Sequence, residues 1–287
     1  MTGDDGADGT ADAGTGTHAE AATAGFETVR VCIGERAEGV ATVTIDRPEA
    51  RNALNGQVRS ELTEALAAIE ADDAAWVVVL TGGADAGAFV AGADVTELRD
   101  RDHVAQREAS KRPRVYEVVA ELDHPTVARI NGHALGGGCE LAQACDVRYA
   151  LAGAKLGQPE IGLGIMPGGG ATQRLPRLVG TGQAMRLILS GDPIDATEAA
   201  EIGLVEGVCA DVAELDATVD DLAASIAGNS PLAVEYARTA VRAASRMGLD
   251  DGIDHEAELF ASLFATRDKD EGIDAFLDDR EPEWKGR

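Results

Sequence analysis

The sequence predicts an α/β fold that ends in a mostly helical C-terminal segment. Three observations support this prediction. Strand-like and helix-like segments alternate over most of the chain, the strands are short β-branched apolar runs, and strand candidates vanish from Pro231 onward. With 287 residues and 45% hydrophobic content, the chain can bury a sizeable core, which excludes a small disulfide scaffold or a fibre.

The elements follow one another along the chain. Val29 to Ile33 and Val40 to Ile45 alternate like strands, and Glu38-Gly39 between them predicts the turn of a hairpin. The next predicted elements are a helix at 57–70, a strand at 76–80, a helix at 112–122, a strand at 126–130, a helix after Gly136 and a strand at 146–150. Helices are then expected around 232–247 and 255–266. We therefore expect a core at 26–228 and a helical C-terminal region at 229–287.

Residues 1–25 consist almost entirely of Gly, Ala, Thr and Asp. Such a segment cannot bury enough apolar surface to offset the entropy lost on ordering. The sequence therefore predicts a disordered acidic tail.

The charge balance excludes several classes of partner. Fifty-one acidic against 25 basic residues give a net charge of −26, which repels nucleic acid and anionic lipid. The basic residues include only four lysines, and an acidic, lysine-poor surface is typical of proteins adapted to molar salt. A biased genome is the alternative explanation. If the protein is halophilic, its melting temperature should rise with KCl.

The cysteines and the apolar runs bear on location and metals. Cys32, Cys139, Cys145 and Cys209 form no CxxC pair and no zinc-like cluster with the five histidines, so no metal site is predicted. The longest apolar run, at 74–80, is too short to cross a bilayer, and the acidic N-terminus has no apolar signal core. We expect a cytoplasmic protein with reduced thiols and no membrane contact.

Two segments rich in small residues are candidate anion sites. The segment at 88–94 lies between a predicted strand and a helix, and the segment at 131–140 carries three glycines at a helix start. Small residues let a ligand approach main-chain N–H groups, and a helix start favours negative charge. Each segment alone is more often tight packing. Together they suggest two N–H donors that converge on one oxygen, as thioester chemistry requires.

Two glutamates lie within or near these glycine-rich segments. Glu140 lies one helical turn beyond Gly137, and Glu160 follows Pro159 in a Gly-Gln-Pro-Glu sequence. A pair of carboxyl groups can hold a water, one removing its proton and the other protonating the substrate. In a chain with 51 acidic residues, each could instead be a surface charge. Motifs of serine hydrolases, P-loop enzymes, zinc proteases and dinucleotide-binding dehydrogenases are missing.

Several motifs in one order identify a family. The chain resembles the enoyl-CoA hydratase (crotonase) family over about 260 residues. The matching segments are RPEARNAL at 47–54, FVAGADVTEL at 89–98, NGHALGGGCELAQACD at 131–146, GQPE at 157–160 and PGGGATQRL at 167–175.

The resemblance implies a fold, an assembly and a set of residue roles. The fold is the family's spiral of ββα units with a C-terminal helical trimerisation region, assembled as a homotrimer or a hexamer. The oxyanion donors correspond to the N–H groups of Ala93 and Gly137, and the two hydratase glutamates to Glu140 and Glu160. The implied substrate is an acyl-CoA thioester, with no prosthetic group.

The resemblance also implies residues that bind CoA or the substrate. Arg51 is the preferred cation for the CoA phosphates, whereas Arg47 is a weaker candidate. Lys285 corresponds to a terminal lysine that in relatives can reach a phosphate, sometimes across a subunit contact. The alternative is that all three are ordinary surface charges. The remaining residues of this set are Ala53, Ala91, Gly92, Asp94 and Gly136.

The expected reaction is hydration of a trans-2-enoyl-CoA to a 3-hydroxyacyl-CoA in fatty-acid β-oxidation. One alternative is another reaction of the same family, such as enoyl-CoA isomerisation or hydroxyacyl-CoA dehydration. A more remote alternative is a non-catalytic or RNA-binding member, which a charge of −26 and 3% aromatic residues disfavour.

Overall fold

The computed structural model describes residues 25–287, and their strands form two sheets. The predicted tail lies outside the described residues except for residue 25. The strands within the described range are β1 (Val29–Ile33), β2 (Val40–Ile45), β3 (Val77–Gly82), β4 (Ala88–Val90), β5 (Thr126–Ile130), β6 (His133–Leu135), β7 (Val147–Leu151), β8 (Lys155–Gly157), β9 (Ile194–Asp195) and β10 (Gly207–Cys209).

Helices follow most of the strands and dominate the C-terminal part. They are α1 (Gly56–Glu70), α2 (Val95–Arg99), α3 (His103–Ala109), α4 (Val115–Glu121), α5 (Gly137–Ala144), α6 (Ala171–Ser190), α7 (Ala196–Glu201), α8 (Val212–Ala227), α9 (Pro231–Ala243), α10 (Leu249–Leu263) and α11 (Arg267–Leu277). Short 3-10 turns lie at Pro48–Ala50, Ala84–Ala86 and Pro159–Leu163.

The sheet topology confirms the predicted spiral of ββα units. The larger sheet has the order β1-β2-β3-β5-β7-β10, and the smaller sheet has the order β4-β6-β8-β9. The successive pairs β3/β4, β5/β6 and β7/β8 each give their first strand to the larger sheet and their second to the smaller one. A helix follows each pair, namely α2, α5 and α6. Apart from the β1–β2 hairpin, the larger sheet is parallel.

The larger sheet is buried on both faces. Helix α1 begins after Asn55, whose side chain accepts from the Val58 N–H at 2.8 Å, and it packs Leu62 and Leu66 into the main core. On the other face, α8 contributes Leu215 and Val219 to a second core that includes alternate residues of β3. Burial on both faces explains why the first four residues of β3 form an uninterrupted apolar run.

The observed helices differ from the predicted ones in several places, and α3, α7 and α8 are among those that the sequence did not predict. Helix α6 was not predicted, because Pro176 and Gly180, with φ 77°, interrupt its pattern. Helix α4 begins only after Arg114, whereas the prediction began at Arg112. The helix predicted around 255–266 is the end of α10, and Thr266 then starts α11 by accepting from the Lys269 N–H at 3.2 Å.

The C-terminal helices are tied to the core by a partly buried carboxylate. Asp146, just before β7, accepts from Arg238 Nε and Arg242 Nε of α9 at 2.8 Å each. The same carboxylate accepts from the Thr126 N–H at the start of β5. None of the helices described is long and apolar enough to cross a membrane.

Candidate active site

The two glycine-rich segments meet at one cavity of about 800 Å³. Its lining includes Ala93 from the first segment, Gly137 and Glu140 from the second, and Glu160 from the 3-10 turn after β8. The structure therefore brings together the four residues for which the sequence predicted catalytic roles.

The two predicted N–H donors lie side by side. A Cβ atom built on Gly137 would lie 3.4 Å from Ala93 N. Gly137 is the first residue of α5, so its N–H has no acceptor within the helix. Among residues 25–287, neither N–H donates to another group of the chain. Both donors are therefore free to bind a ligand oxygen.

Residues 51–54 hold the Ala93 side of this pair in place. Leu54 N–H donates to the Gly92 carbonyl at 2.8 Å, and its own carbonyl accepts from Asp94 N–H at 3.0 Å. Ala91 N–H donates to the Arg51 carbonyl at 3.1 Å. Gly92 has φ +119°, a conformation that favours glycine, which explains the small residue beside the donor.

A buried asparagine, which the sequence analysis did not single out, fixes this loop. Asn52 is fully buried, and its side-chain nitrogen donates to the carbonyls of Ala88 at 2.9 Å and Phe89 at 3.2 Å. Its side-chain oxygen accepts from Arg47 N–H at 2.9 Å. The loop is thereby attached to β4, which leads directly to the Ala93 donor.

Asp94 lines the cavity, but its carboxylate already accepts hydrogen bonds from other residues of the chain. It caps α2 by accepting from the Thr96 N–H at 3.1 Å, it also accepts from Thr96 Oγ1 at 2.6 Å, and it pairs with Arg47 Nη1 at 2.8 Å. The bonds from Thr96 and then from Arg47 lower the pKa of Asp94 to about 2. Arg47 therefore stabilises the loop at 91–94 that carries the Ala93 N–H, which we call the donor loop. This makes Arg47 a weaker candidate for a phosphate ligand.

The Gly137 side depends on glycines that allow close approach. Gly136 has φ +49°, its N–H donates to the Gly157 carbonyl at 2.9 Å, and a Cβ there would lie 2.9 Å from Glu160 Oε1. A Cβ on Gly138 would overlap the Val90 carbonyl oxygen. Helix α5 can pack this closely on β4 only because it begins with glycines.

Glu140 is buried and oriented by backbone amides. Its side chain is 3% exposed, and Oε1 accepts from Gly169 N–H at 2.6 Å and Ala171 N–H at 3.0 Å. Burial raises the pKa of Glu140, and the amides partly offset this effect. One carboxylate oxygen is thus held in place, while the residue still lines the cavity.

Glu160 is less enclosed and more weakly bonded. Burial, with a further contribution from the charge of Glu140, raises the pKa of Glu160 to about 7. Gln158 is fully buried, and the amide orientation that satisfies its neighbours donates to both Glu160 oxygens at 3.3 Å and accepts from Gln143 Nε2 at 3.0 Å. Gln158 therefore orients this carboxyl group.

Tyr116 of α4 is a cavity residue that the sequence analysis missed. Its hydroxyl lies 2.8 Å from the position of a Cβ built on Gly137. The only sequence signal was an aromatic residue in an apolar helix of a chain with 3% aromatic residues. That signal does not distinguish a core residue from a site residue.

The predicted CoA-binding residues do not all reach the cavity. Arg51 and Ala53 lie in the loop beside the donors, and the exposed Arg51 side chain makes no ion pair within residues 25–287. Lys285 is exposed, with its Nζ 3.7 Å from Glu283 Oε2, and does not line the cavity. A CoA role for Lys285 remains a prediction.

Metal and nucleophile chemistry have little support among these residues. Within the described range, no three His, Cys, Asp or Glu side chains are grouped to hold a metal ion. Burial raises the pKa of the Cys139 thiol to about 11, which disfavours the nucleophilic thiolate. The site thus offers two neighbouring N–H donors, two carboxyl groups and one phenol.

Comparisons with known proteins identify the family of the chain. The family described as "Enoyl-CoA hydratase/isomerase" matches residues 35–287. The short-chain-enoyl-CoA hydratase of Clostridium acetobutylicum is 40% identical over 250 residues, which covers 87% of this chain and 95% of that protein. The 2,3-dehydroadipyl-CoA hydratase of Escherichia coli is 43% identical over 255 residues, covering 88% and 97%.

A solved structure extends the similarity to the whole fold. The crystal structure of an enoyl-CoA hydratase from Bacillus anthracis superposes with a TM-score of 0.85 at 38% identity, covering 91% of this chain and all of that one. The chain belongs to the enoyl-CoA hydratase/isomerase family, which confirms the resemblance found in its motifs.

Proposed function

We propose that the protein is an enoyl-CoA hydratase, which adds water to a trans-2-enoyl-CoA to give a 3-hydroxyacyl-CoA. The supporting observation is that Glu140 and Glu160 line the same cavity as the free N–H donors of Ala93 and Gly137. The family membership and the hydratase names of similar proteins point the same way.

The N–H pair activates the thioester. Hydrogen bonds from Ala93 and Gly137 to the carbonyl oxygen withdraw electron density through the conjugated double bond, which makes C3 electrophilic. When an oxygen adds to C3, charge accumulates on the carbonyl oxygen as an enolate. The preorganised donors stabilise that charge, and removing one donor of this kind typically costs a factor of 10²–10³ in turnover.

The two carboxyl groups divide the proton transfers. Glu140, which accepts two amide hydrogen bonds, is the better anion, and we assign it the removal of a proton from the attacking water. Glu160, with a pKa of about 7, retains its proton near neutrality and delivers it to C2. The water oxygen bonds to C3, and Glu160 then protonates the enolate at C2. Glu140 afterwards loses its extra proton to solvent and Glu160 regains one from solvent, which restores both carboxyl groups.

We further propose that the substrate is an acyl-CoA and that no prosthetic group takes part. The exposed guanidinium of Arg51, beside the donor loop, is suited to a CoA phosphate. Four free thiols suit the reducing cytoplasm, where we place the reaction as a step of fatty-acid β-oxidation. The net charge of −26 disfavours nucleic acid and anionic membranes as partners.

We also propose that residues 229–287 form an oligomerisation region and that the chain assembles as a homotrimer or hexamer. Helices α10 and α11 carry large exposed apolar side chains, including Leu249 at 79%, Phe260 at 62% and Phe276 at 85% exposed. A monomer rarely leaves so many large apolar groups in water. Measuring the mass in solution tests this, and a monomer at micromolar concentration contradicts it.

The decisive experiment for the reaction uses crotonyl-CoA and paired variants in high KCl. Loss of the enoyl absorbance and incorporation of ¹⁸O from labelled water measure hydration. We expect Glu140→Gln and Glu160→Gln each to lower turnover by about two or more orders of magnitude. Glu201→Gln is the control, because Glu201 is exposed and makes no ion pair within residues 25–287.

Unchanged turnover in both site variants would overturn the proposed mechanism. Movement of the double bond without uptake of ¹⁸O would instead show an isomerase, which the family also contains by its description.

A further inference from the structure

Tyr116 lies between the N–H pair and one of the carboxyl groups. Its hydroxyl is 2.8 Å from the Cβ position of Gly137, which is itself 3.4 Å from Ala93 N. On the other side, the ring carbon Cζ lies 2.6 Å from the Cβ position of Gly169, and Glu140 Oε2 lies 2.5 Å from the same position. The phenol is thus in the part of the cavity where the reacting atoms would sit.

The hydroxyl of Tyr116 has no partner in the described chain. Tyr116 is 8% exposed, yet the hydroxyl makes no hydrogen bond within residues 25–287 and faces the cavity. The hydroxyl is open to the cavity, so a ligand can reach it, whereas a phenylalanine would pack the same ring without placing a hydrogen-bonding group there. The hydroxyl is therefore placed to bond a ligand that enters the cavity beside Gly137.

The surroundings keep this phenol protonated. Burial, and next the negative charge of Glu140, raise the pKa of Tyr116 above its ordinary value. At any pH at which the protein would work, the group is a hydrogen-bond donor and not a base. The ligand atom that it meets must therefore be an acceptor.

We propose that Tyr116 Oη donates a third hydrogen bond to the carbonyl oxygen of the bound thioester, beside the N–H groups of Ala93 and Gly137. This inference rests on the proposed function for its substrate class. It makes Tyr116 a catalytic residue that polarises the enoyl group and stabilises the enolate, while the glutamates handle water and protons.

The test compares the full-length protein with Tyr116→Phe and with Tyr236→Phe. Tyr236, on α9 and half-buried, is the control because it does not line the cavity. The first readout is kcat and KM for crotonyl-CoA. We expect Tyr116→Phe to lower kcat about tenfold with a smaller effect on KM, as for a donor that acts mainly on the enolate.

The second readout reports directly on the carbonyl. The probe is 4-(dimethylamino)cinnamoyl-CoA, a donor–acceptor chromophore whose absorbance moves to longer wavelength as its carbonyl is polarised. We expect a red shift on binding to the wild type and to Tyr236→Phe, and a smaller shift in Tyr116→Phe. The melting temperature of Tyr116→Phe should not fall, since the hydroxyl has no partner to lose within residues 25–287.

Three results would overturn the inference: an unchanged red shift in Tyr116→Phe, an unchanged kcat, or no red shift in the wild type. Failure of the proposed function looks different. In that case the wild type shifts the absorbance of the probe but does not hydrate crotonyl-CoA, and the comparison of probe shifts still decides the role of Tyr116.

Discussion

At the scale of single residues, the two carboxyl groups at the cavity differ in how strongly their surroundings stabilise the anion. Glu140 is held by two short amide hydrogen bonds that favour its anion, whereas the Gln158 amide lies at the longer distance of 3.3 Å from the Glu160 oxygens. Each group is destabilised as an anion by burial, but only Glu140 receives strong compensation. This difference is the basis for assigning one as base and the other as acid.

The assignment predicts the alkaline side of the pH profile. With a pKa of about 7, Glu160 loses its proton as the pH rises through neutrality, so kcat/KM for crotonyl-CoA should fall above about pH 7. Initial rates between pH 5.5 and 9 measure this limb. In Glu160→Gln the low residual activity should no longer fall over that range. An alkaline limb that persists in this variant would assign the titration to another group.

At the scale of elements, the close contact between α5 and β4 sets the donor geometry. Gly138→Ala should destabilise the protein by about 1–3 kcal/mol, although alanine favours a helix by about 1 kcal/mol over glycine. The reason is that the new Cβ would overlap the Val90 carbonyl, a backbone atom that cannot rotate away. Turnover should fall as well, because the start of α5 must shift.

Urea unfolding and crotonyl-CoA turnover measure both effects. Gly153→Ala is the matched control, since a Cβ at Gly153 meets no atom within 4 Å. It should change the free energy of unfolding by less than about 0.5 kcal/mol. Equal stability of the two variants would show that the contact with β4 is not constrained.

The attachment of α9 to the core gives a second prediction at this scale. Burial disfavours the Asp146 anion, but Arg238 and Arg242 outweigh it and lower the pKa of Asp146. Asp146→Asn leaves both guanidinium groups without their counter-charge, and we expect a loss of about 2–4 kcal/mol. The contribution of Asp146 is present above the pKa of an unfolded aspartate and is lost as the pH falls through the lowered value.

Hydrogen exchange localises this loss, since amides of α9 should exchange faster in Asp146→Asn. Asp192→Asn serves as the control, because Asp192 is exposed and its carboxylate has no ion pair within residues 25–287. Unchanged exchange across 231–243 would mean that α9 is held by its apolar contacts alone.

The elements also show what a sequence can and cannot predict. The bounds of β1, β2 and β5 match the predicted ones because each is a short segment rich in β-branched residues. Strands β6, β8 and β9 have only two or three residues, too few to show a period, and exist because they pair with one another. Helix α6 was not predicted because it contains a proline and a glycine, which are typical of loops.

The residues of the site also fall into those that the sequence predicted and those that it did not. Glu140 and Glu160 were found because each stands within a contiguous motif. Asn52, Gln158 and Tyr116 are single polar or aromatic residues whose significance depends on contacts with distant parts of the chain. Asn52, for example, bonds the carbonyl of Ala88, 36 residues away. No local pattern encodes such contacts, so they became visible only in the folded chain.

At the scale of the whole molecule, the charge of −26 makes stability depend on salt. Like charges repel more strongly in the compact state, and raising the ionic strength from 0.1 M to 1 M shortens the Debye length from about 10 Å to about 3 Å. We therefore expect the melting temperature to rise with KCl between these concentrations. Calorimetry measures this, and a flat or falling curve would contradict adaptation to high salt.

The same charge should govern the approach of the substrate. CoA carries several phosphate charges, so the protein repels it at low salt, and screening should lower the KM for crotonyl-CoA as KCl rises. Crotonyl-pantetheine is the matched control, because it has the same thioester without the nucleotide phosphates, and its KM should respond little to salt. Substitution of Arg51 by glutamine should raise the KM for the CoA thioester alone. If both thioesters respond equally to KCl, salt acts by stabilising the protein, and charge repulsion of CoA is not the cause.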